Sequence, residues 1–164
     1  MLETLRRIVQ EVSSAPDLAS ALAITVNRIR DTMRVAACTV YLADQEQREF
    51  VLMATAGLNP AAVGQVRLSH QHGLVGWVAE RQEPLNLEDA PRHPRFRETP
   101  ATREDACHAF LGVPLIQYRR TLGVLVVQDA AVRQFRSEEV DFLVTIAAQL
   151  ASILHHAVLS GAAR

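Results

Sequence analysis

The chain has 164 residues, 49% of them hydrophobic and 21% charged, and its formal net charge is -1. That length suits one domain with a sizeable core, and the charge lacks the basic excess of a nucleic-acid-binding domain. All 17 side chains of the Lys-plus-Arg class are Arg, which leaves no lysine for Schiff-base or P-loop chemistry.

From the N-terminus, Leu2, Leu5, Val9 and Val12 fall at helical spacing opposite Glu3, Arg6, Arg7 and Gln10. This amphipathic start does not read as a signal peptide, and no apolar stretch approaches the ~18 residues of a membrane span. Ser13-Ser14-Ala15 breaks the helix. Pro16 suits the first position of a second helix, with Asp17 where the dipole favours an acid; Leu18, Leu22, Val26, Ile29 and Met33 form its stripe, and it should end near Arg34. Residues 36–43 and 49–55 read as strands around the polar turn Asp44 to Gln47. Cys38 and Cys107 are too few for a disulfide scaffold and fit a reducing, cytoplasmic setting.

Gly57, Asn59, Pro60 and Gly64 are loop residues, and residues 66–68 suit a short edge strand. A short helix is expected over 74–81, and after Pro84 a brief strand, Leu85-Asn86-Leu87. Asp89 to Asp105 holds Pro91, Pro94 and Pro100 with Arg92, Arg95, Arg97 and Arg103 among acids. A loop this long in a compact domain is usually functional or mobile.

Two apolar runs follow, Phe110 to Ile116 and Leu122 to Val127, separated by Tyr118-Arg119-Arg120-Thr121. They read as a hairpin of strands covered on both faces. Pro114 requires an edge, a bulge or an unpaired site. From Ser137 to about His156 runs the strongest helix, with Val140, Leu143, Val144, Ala147, Leu150, Ala151 and Leu154 on one stripe. Phe142, Ile146, Ile153 and Ala157 make a second stripe, which needs the first two helices or a partner subunit. The order gives an α+β fold: an antiparallel sheet of five to six strands with the terminal helices on one face. Residues 57–108 would roof the other face over a small-molecule pocket.

The pieces Gly73-Leu74-Val75-Gly76-Trp77-Val78, Pro84 to Ala90, Leu111-Gly112-Val113-Pro114-Leu115, Leu122-Gly123-Val124-Leu125, and Phe135 with Glu138, Phe142, Ala147 and Leu150 occur in order with fitting spacing. On them the chain resembles a GAF domain over nearly its whole length. Ile8 to Leu18, Val40 to Asp44, Leu52 to Leu58, Ala109 to Gln117 and Leu122 to Gln128 look like the N-terminal GAF domain of the nitrogen-related enzyme I family of the bacterial phosphotransferase system. The resemblance implies a regulatory fragment, 1–164, of a longer phosphotransferase, joined to a downstream domain that takes phosphate from phosphoenolpyruvate. That family's Thr-Ser-His phosphoacceptor motif does not occur here, so no enzymatic activity is expected of this stretch. The implied ligand is an amino acid such as glutamine; no cofactor, metal, membrane or nucleic acid is implied.

Six residues are candidate ligand contacts. Trp77 either walls the pocket or packs on the sheet. Asn86 suits a carboxamide or carboxylate. Asp89 accepts from an ammonium group or caps the turn before Pro91. Arg103, the loop arginine nearest the sheet, suits a carboxylate. His108 stands at the pocket edge, and Phe110 lines or fills the pocket. Cys107-His108 resembles the bilin site of phytochrome GAF domains but lies closer to Val113 than in that motif, and it lacks the spacing of a metal site. Gln128-Asp129 replaces the Asn-Lys of cyclic-nucleotide GAF domains, which disfavours that ligand. His70 and His72 carry no signal, and no nucleophile-base-orienter set is visible. The terminal helices are expected to pair in a homodimer. The competing expectation is a ligand-free dimerisation module whose pocket is filled by its own side chains.

Overall fold

The computed structural model describes residues 2–97 and 107–160, the last four by their backbone alone. Its elements in chain order are α1 (Leu2–Ser13), α2 (Leu18–Met33), β1 (Ala37–Asp44), β2 (Glu49–Ala56), β3 (Arg67–Ser69), α3 (Gly73–Arg81), β4 (Leu85–Leu87), β5 (Ala109–Gln117), β6 (Arg120–Asp129) and α4 (Ser137–Ser160). Short 3₁₀ turns occur at Pro60–Ala62 and Ala90–Arg92. The six strands form one antiparallel sheet in the order β3-β2-β1-β6-β5-β4.

The long strands β5 and β6 explain the continuous apolar runs. Side chains alternate between faces along a strand, and here both faces are covered. Val40, Leu111, Val113, Leu115, Leu125 and Val127 meet α1, α2 and α4 on one side. Tyr41, Phe110, Val124 and Val126 meet α3 and the loop segments on the other. Pro114 lies past the last pairing of β4, Leu85 with Gly112. There β5 is an edge on one side, where a missing N–H is tolerated.

Several local expectations are corrected. Pro16 precedes the second helix instead of opening it: Asp17 is the N-cap, accepting from the Ser20 N–H at 2.7 Å, and Leu18 is the first helical residue. The N-cap side chain satisfies a donor that proline would only have removed. In α1, Leu2 is 80% exposed while Ile8 and Val12 carry the burial. In α4, Val144 is 40% exposed, whereas Phe142 and Ile146 join Leu143, Ala147, Leu150, Ala151 and Leu154 in the core. The second stripe finds its cover within the chain, since Ile146 and Ile153 stand opposite Ile8, Val9 and Val12 of α1. Ala157 lies outside the described side chains.

The β5–β6 turn contains two residues, Tyr118 and Arg119, with φ of 50° and 65°. A two-residue hairpin with positive φ at both positions normally takes Asn-Gly, and each ordinary residue held there costs about 1–2 kcal/mol. Among the described residues no helix is long and apolar enough to cross a membrane.

Candidate functional site

Between the sheet and the start of α3 lies a cavity of about 30 Å³, room for one or two waters. Tyr41 of β1, Phe110 of β5 and Val126 and Gln128 of β6 contribute its sheet side. His72, Gly73, Leu74 and Val75 contribute the start of α3, and Phe96 and Arg97 come from the loop beyond β4. Tyr41 and Gln128 are polar side chains placed in the core, 3% and 6% exposed.

The start of α3 gives this cavity its polarity. Its N-cap is His72, whose side chain makes no capping bond. The first intrahelical donor bond is from Gly76 N–H to the His72 carbonyl. The first-turn N–H groups therefore carry the positive end of the helix dipole, and Gly73, Leu74 and Val75 of that turn line the cavity. His72 Nε2 is buried and has no hydrogen-bond partner among the described residues. A buried nitrogen left so is costly and calls for an explanation. Arg97 also lines the cavity; its Nη1 donates to the carbonyls of Phe96 at 2.7 Å and Pro94 at 3.2 Å. Gly73 has φ of 56°, and the space a Cβ would fill is bounded by Arg97 and the Arg95 carbonyl.

Of the six residues selected from sequence, Phe110 lines the cavity and is 4% exposed. Trp77, on α3 itself, is half-buried against the core cluster beneath that helix, edge-on to His93 at 6.3 Å and beneath the Arg81 guanidinium at 4.9 Å. Asn86 donates through Nδ2 to the Phe135 carbonyl at 2.8 Å and accepts from the Phe135 N–H at 3.2 Å. Its amide thus ties β4 to the segment that enters α4. Asp89 occupies the N-cap position of the second 3₁₀ turn, yet its side chain makes no cap bond, a correction to the capping role. The carboxylate instead lies 2.9 Å from His108 Nδ1. His108 is further tied by its backbone, donating to the Asp129 carbonyl and accepting from Ala90 N–H. Arg103 falls outside the described residues.

Sequence reading named Arg97 only among the four loop arginines and Gln128 only against the cyclic-nucleotide motif, gave His72 no signal, and did not single out Tyr41. One signal was available for His72: a helix beginning at Gly73 with no Ser, Thr, Asp or Asn before it has an uncapped start. The other polar cluster, Asp129, Arg133 and Glu139, is structural. Arg133 bridges the two acids at 3.1 and 3.5 Å and covers the Phe135 ring, while Glu139 accepts from the Arg136 N–H at the head of α4. Burial pushes the Cys38 thiol pKa up, so it stays protonated and inert. Among the described residues no three His, Cys, Asp or Glu side chains converge as a metal site would require.

The family model for the GAF domain matches residues 17–154. A phosphoenolpyruvate-dependent phosphotransferase system protein of Escherichia coli K12 is 48% identical over 160 residues, 98% of this chain. The chain spans about a fifth of that curated relative's length (21%). The solved GAF domain of a phosphoenolpyruvate-protein phosphotransferase (ptsP) from Coxiella burnetii superposes with a TM-score of 0.95 at 44% identity, covering 98% of this chain and 96% of that one. The corresponding domain from Acinetobacter gives 0.89 at 44% identity, with the same coverage of 98% and 96%. Matched in sequence along most of its length and in fold along nearly all of it, the chain belongs to the GAF domain family, alongside the GAF domains of phosphoenolpyruvate-protein phosphotransferases.

Proposed function

We propose that this GAF domain is a cytoplasmic small-molecule sensor of the nitrogen-related phosphotransferase system. In this reading it binds an amino acid, glutamine first, beneath α3, and so modulates phosphoenolpyruvate-dependent autophosphorylation of a downstream domain in the same polypeptide. The observation that carries the reading is the polarity of the cavity under α3. The uncapped helix start, His72, whose Nε2 has no hydrogen-bond partner among the described residues, and Arg97 line one side, and Tyr41 and Gln128 the other. A carboxylate suits the first group through charge-assisted hydrogen bonds; a carboxamide suits the second. Phe110 keeps its place as an apolar wall, and Arg103 stays a candidate contact from the loop that carries Arg97. Trp77, Asn86, Asp89 and His108 act from around the site: Asn86 and the Asp89–His108 pair hold the loop on its sheet, and Trp77 steadies α3.

A cavity of about 30 Å³ is far smaller than an amino acid. Binding therefore displaces the Phe96–Arg97 segment or the start of α3. The ligand shifts the domain toward that opened state by its differential affinity for it. The same volume favours a second reading, a dimerisation and signalling module that takes no ligand because Phe110 and its neighbours fill the site.

A thermal-shift screen with glutamine, 2-oxoglutarate, other amino acids and cyclic nucleotides separates the two, followed by calorimetry on any hit. Ligand at ~100 times its dissociation constant adds roughly 2.7 kcal/mol of stability. A shift with glutamine that Arg97→Ala abolishes supports the sensor; no shift with any compound favours the ligand-free module.

A further inference from the structure

We propose that the β5–β6 turn is a mechanical link between α3 and the C-terminal half of α4, carrying displacement of one helix to the other around the end of the sheet. The two helices lie on opposite faces. Val78 of α3 packs in the cluster with Phe110 and Val124, while Leu150 and Leu154 of α4 pack in the cluster with Leu111 and Leu125. Between those faces stands a close-packed sheet. At the end of the sheet, however, the Tyr118-Arg119 turn touches both helices.

On the α3 side the grip is polar. Gln82, the first residue past the helix, has φ of 55° and sends Nε2 to the Arg119 carbonyl at 2.9 Å and to Thr121 Oγ1 at 3.1 Å. Thr121 Oγ1 in turn donates to the Ala79 carbonyl in the last turn of α3 at 3.0 Å. Three hydrogen bonds thus fix the turn and the start of β6 to the end of α3. On the α4 side the contact is aromatic: the Tyr118 ring stands edge-on to the His155 ring, centroids 4.9 Å apart.

Two features make this a link and not incidental packing. Tyr118 and Arg119 both occupy left-handed backbone without glycine or asparagine, so the turn is held by what it touches and not by its own preference. Tyr118 is also 74% exposed. A large aromatic kept on the surface over one histidine buries little area, so the contact can break and re-form without disturbing the core. The inference concerns how motion of α3 reaches α4, and it holds whether a ligand or another event moves α3.

The test is hydrogen–deuterium exchange on the whole protein without ligand, read at the amides of residues 147–156. Gln82→Gly is the main variant, because it removes the gripping amide while favouring the left-handed backbone and so leaves folding secure. Tyr118→Ala breaks the aromatic half, and Glu80→Ala, an exposed change on α3 outside the link, is the control. We expect Gln82→Gly to raise exchange in 147–156 by about fivefold or more, Tyr118→Ala to do likewise, and the double variant to add nothing beyond either single change. Glu80→Ala should leave the rates alone. A smaller effect of Gln82→Gly, full additivity of the two changes, or an equal response to Glu80→Ala overturns the link. Glutamine binding plays no part in this readout, so its outcome is independent of the sensor reading.

Discussion

Asn86 shows how a side chain suited to a ligand can be consumed by the fold. Both halves of its amide meet the Phe135 backbone, 49 positions away. Asn86→Ala strands a part-buried N–H and C=O, so it should lower unfolding stability by about 1–3 kcal/mol in urea titration. Arg97→Ala should do the reverse: the residue is exposed and, among the described residues, its guanidinium bonds only nearby carbonyls, so stability should move by no more than about 0.5 kcal/mol while ligand affinity falls. Two carboxylates contribute to the acid limb of stability. Hydrogen bonding from Arg67, then the Gln47 N–H, holds the Asp44 pKa below its ordinary 3.8. The Ser20 backbone N–H does the same for Asp17. A folded pKa lower than the unfolded one means the stabilisation is complete above about 3.8 and is lost as pH falls through the lowered value. The urea midpoint should hold steady down to about pH 5 and drop below about pH 4. Asp44→Asn should flatten part of that drop; an unchanged acid limb would remove Asp44 from the account.

Elements are held apart or together by backbone approaches that only some residues permit. Gly57, at the end of β2, has φ of 107°, and a Cβ there would collide with the Ala36 carbonyl oxygen. Gly64 also has positive φ, 75°, but faces open space. Gly64→Ala should therefore cost only the left-handed penalty, about 1 kcal/mol. Gly57→Ala adds the collision and should cost about 2–4 kcal/mol. Equal costs in denaturant titration would mean the β2 end relaxes freely. The strands and helices themselves were readable because their signals are local: alternation hidden by two-sided burial in β5 and β6, and 3.6-residue periodicity in α2 and α4. Orientation within α4 was not, since Val144 and Ile146 are equally apolar and only the position of α1 decides which is covered. The cavity was least readable. Its polar groups come from four separate segments, and His72 and Arg97 sit in stretches whose local pattern says only loop. Asn86 and Asp89 drew attention as polar residues beside a pocket, but distant partners, Phe135 and His108, engage their side chains.

On the scale of the whole molecule, the open question is what meets the outer face of the terminal helices. The second stripe of α4 no longer demands a partner, because α1 covers it. What stays exposed is smaller: Leu2 at 80% and Val144 at 40%, with Leu2, Leu5 and Val9 of α1 lining a groove against Thr145 and Gln149 of α4. If a second copy docks there about a two-fold axis, the same patch serves both protomers, and α4 of one chain lies where its partner can register its movement. We therefore expect sedimentation equilibrium to give a dimer, and Leu2→Glu combined with Val144→Glu to give a monomer. Because both side chains are already exposed, the monomer's own unfolding free energy should shift by no more than about 0.5 kcal/mol. A wild-type chain that stays monomeric at high concentration removes pairing of the terminal helices from the mechanism. The signal from α3 would then have to act along α4 within a single chain.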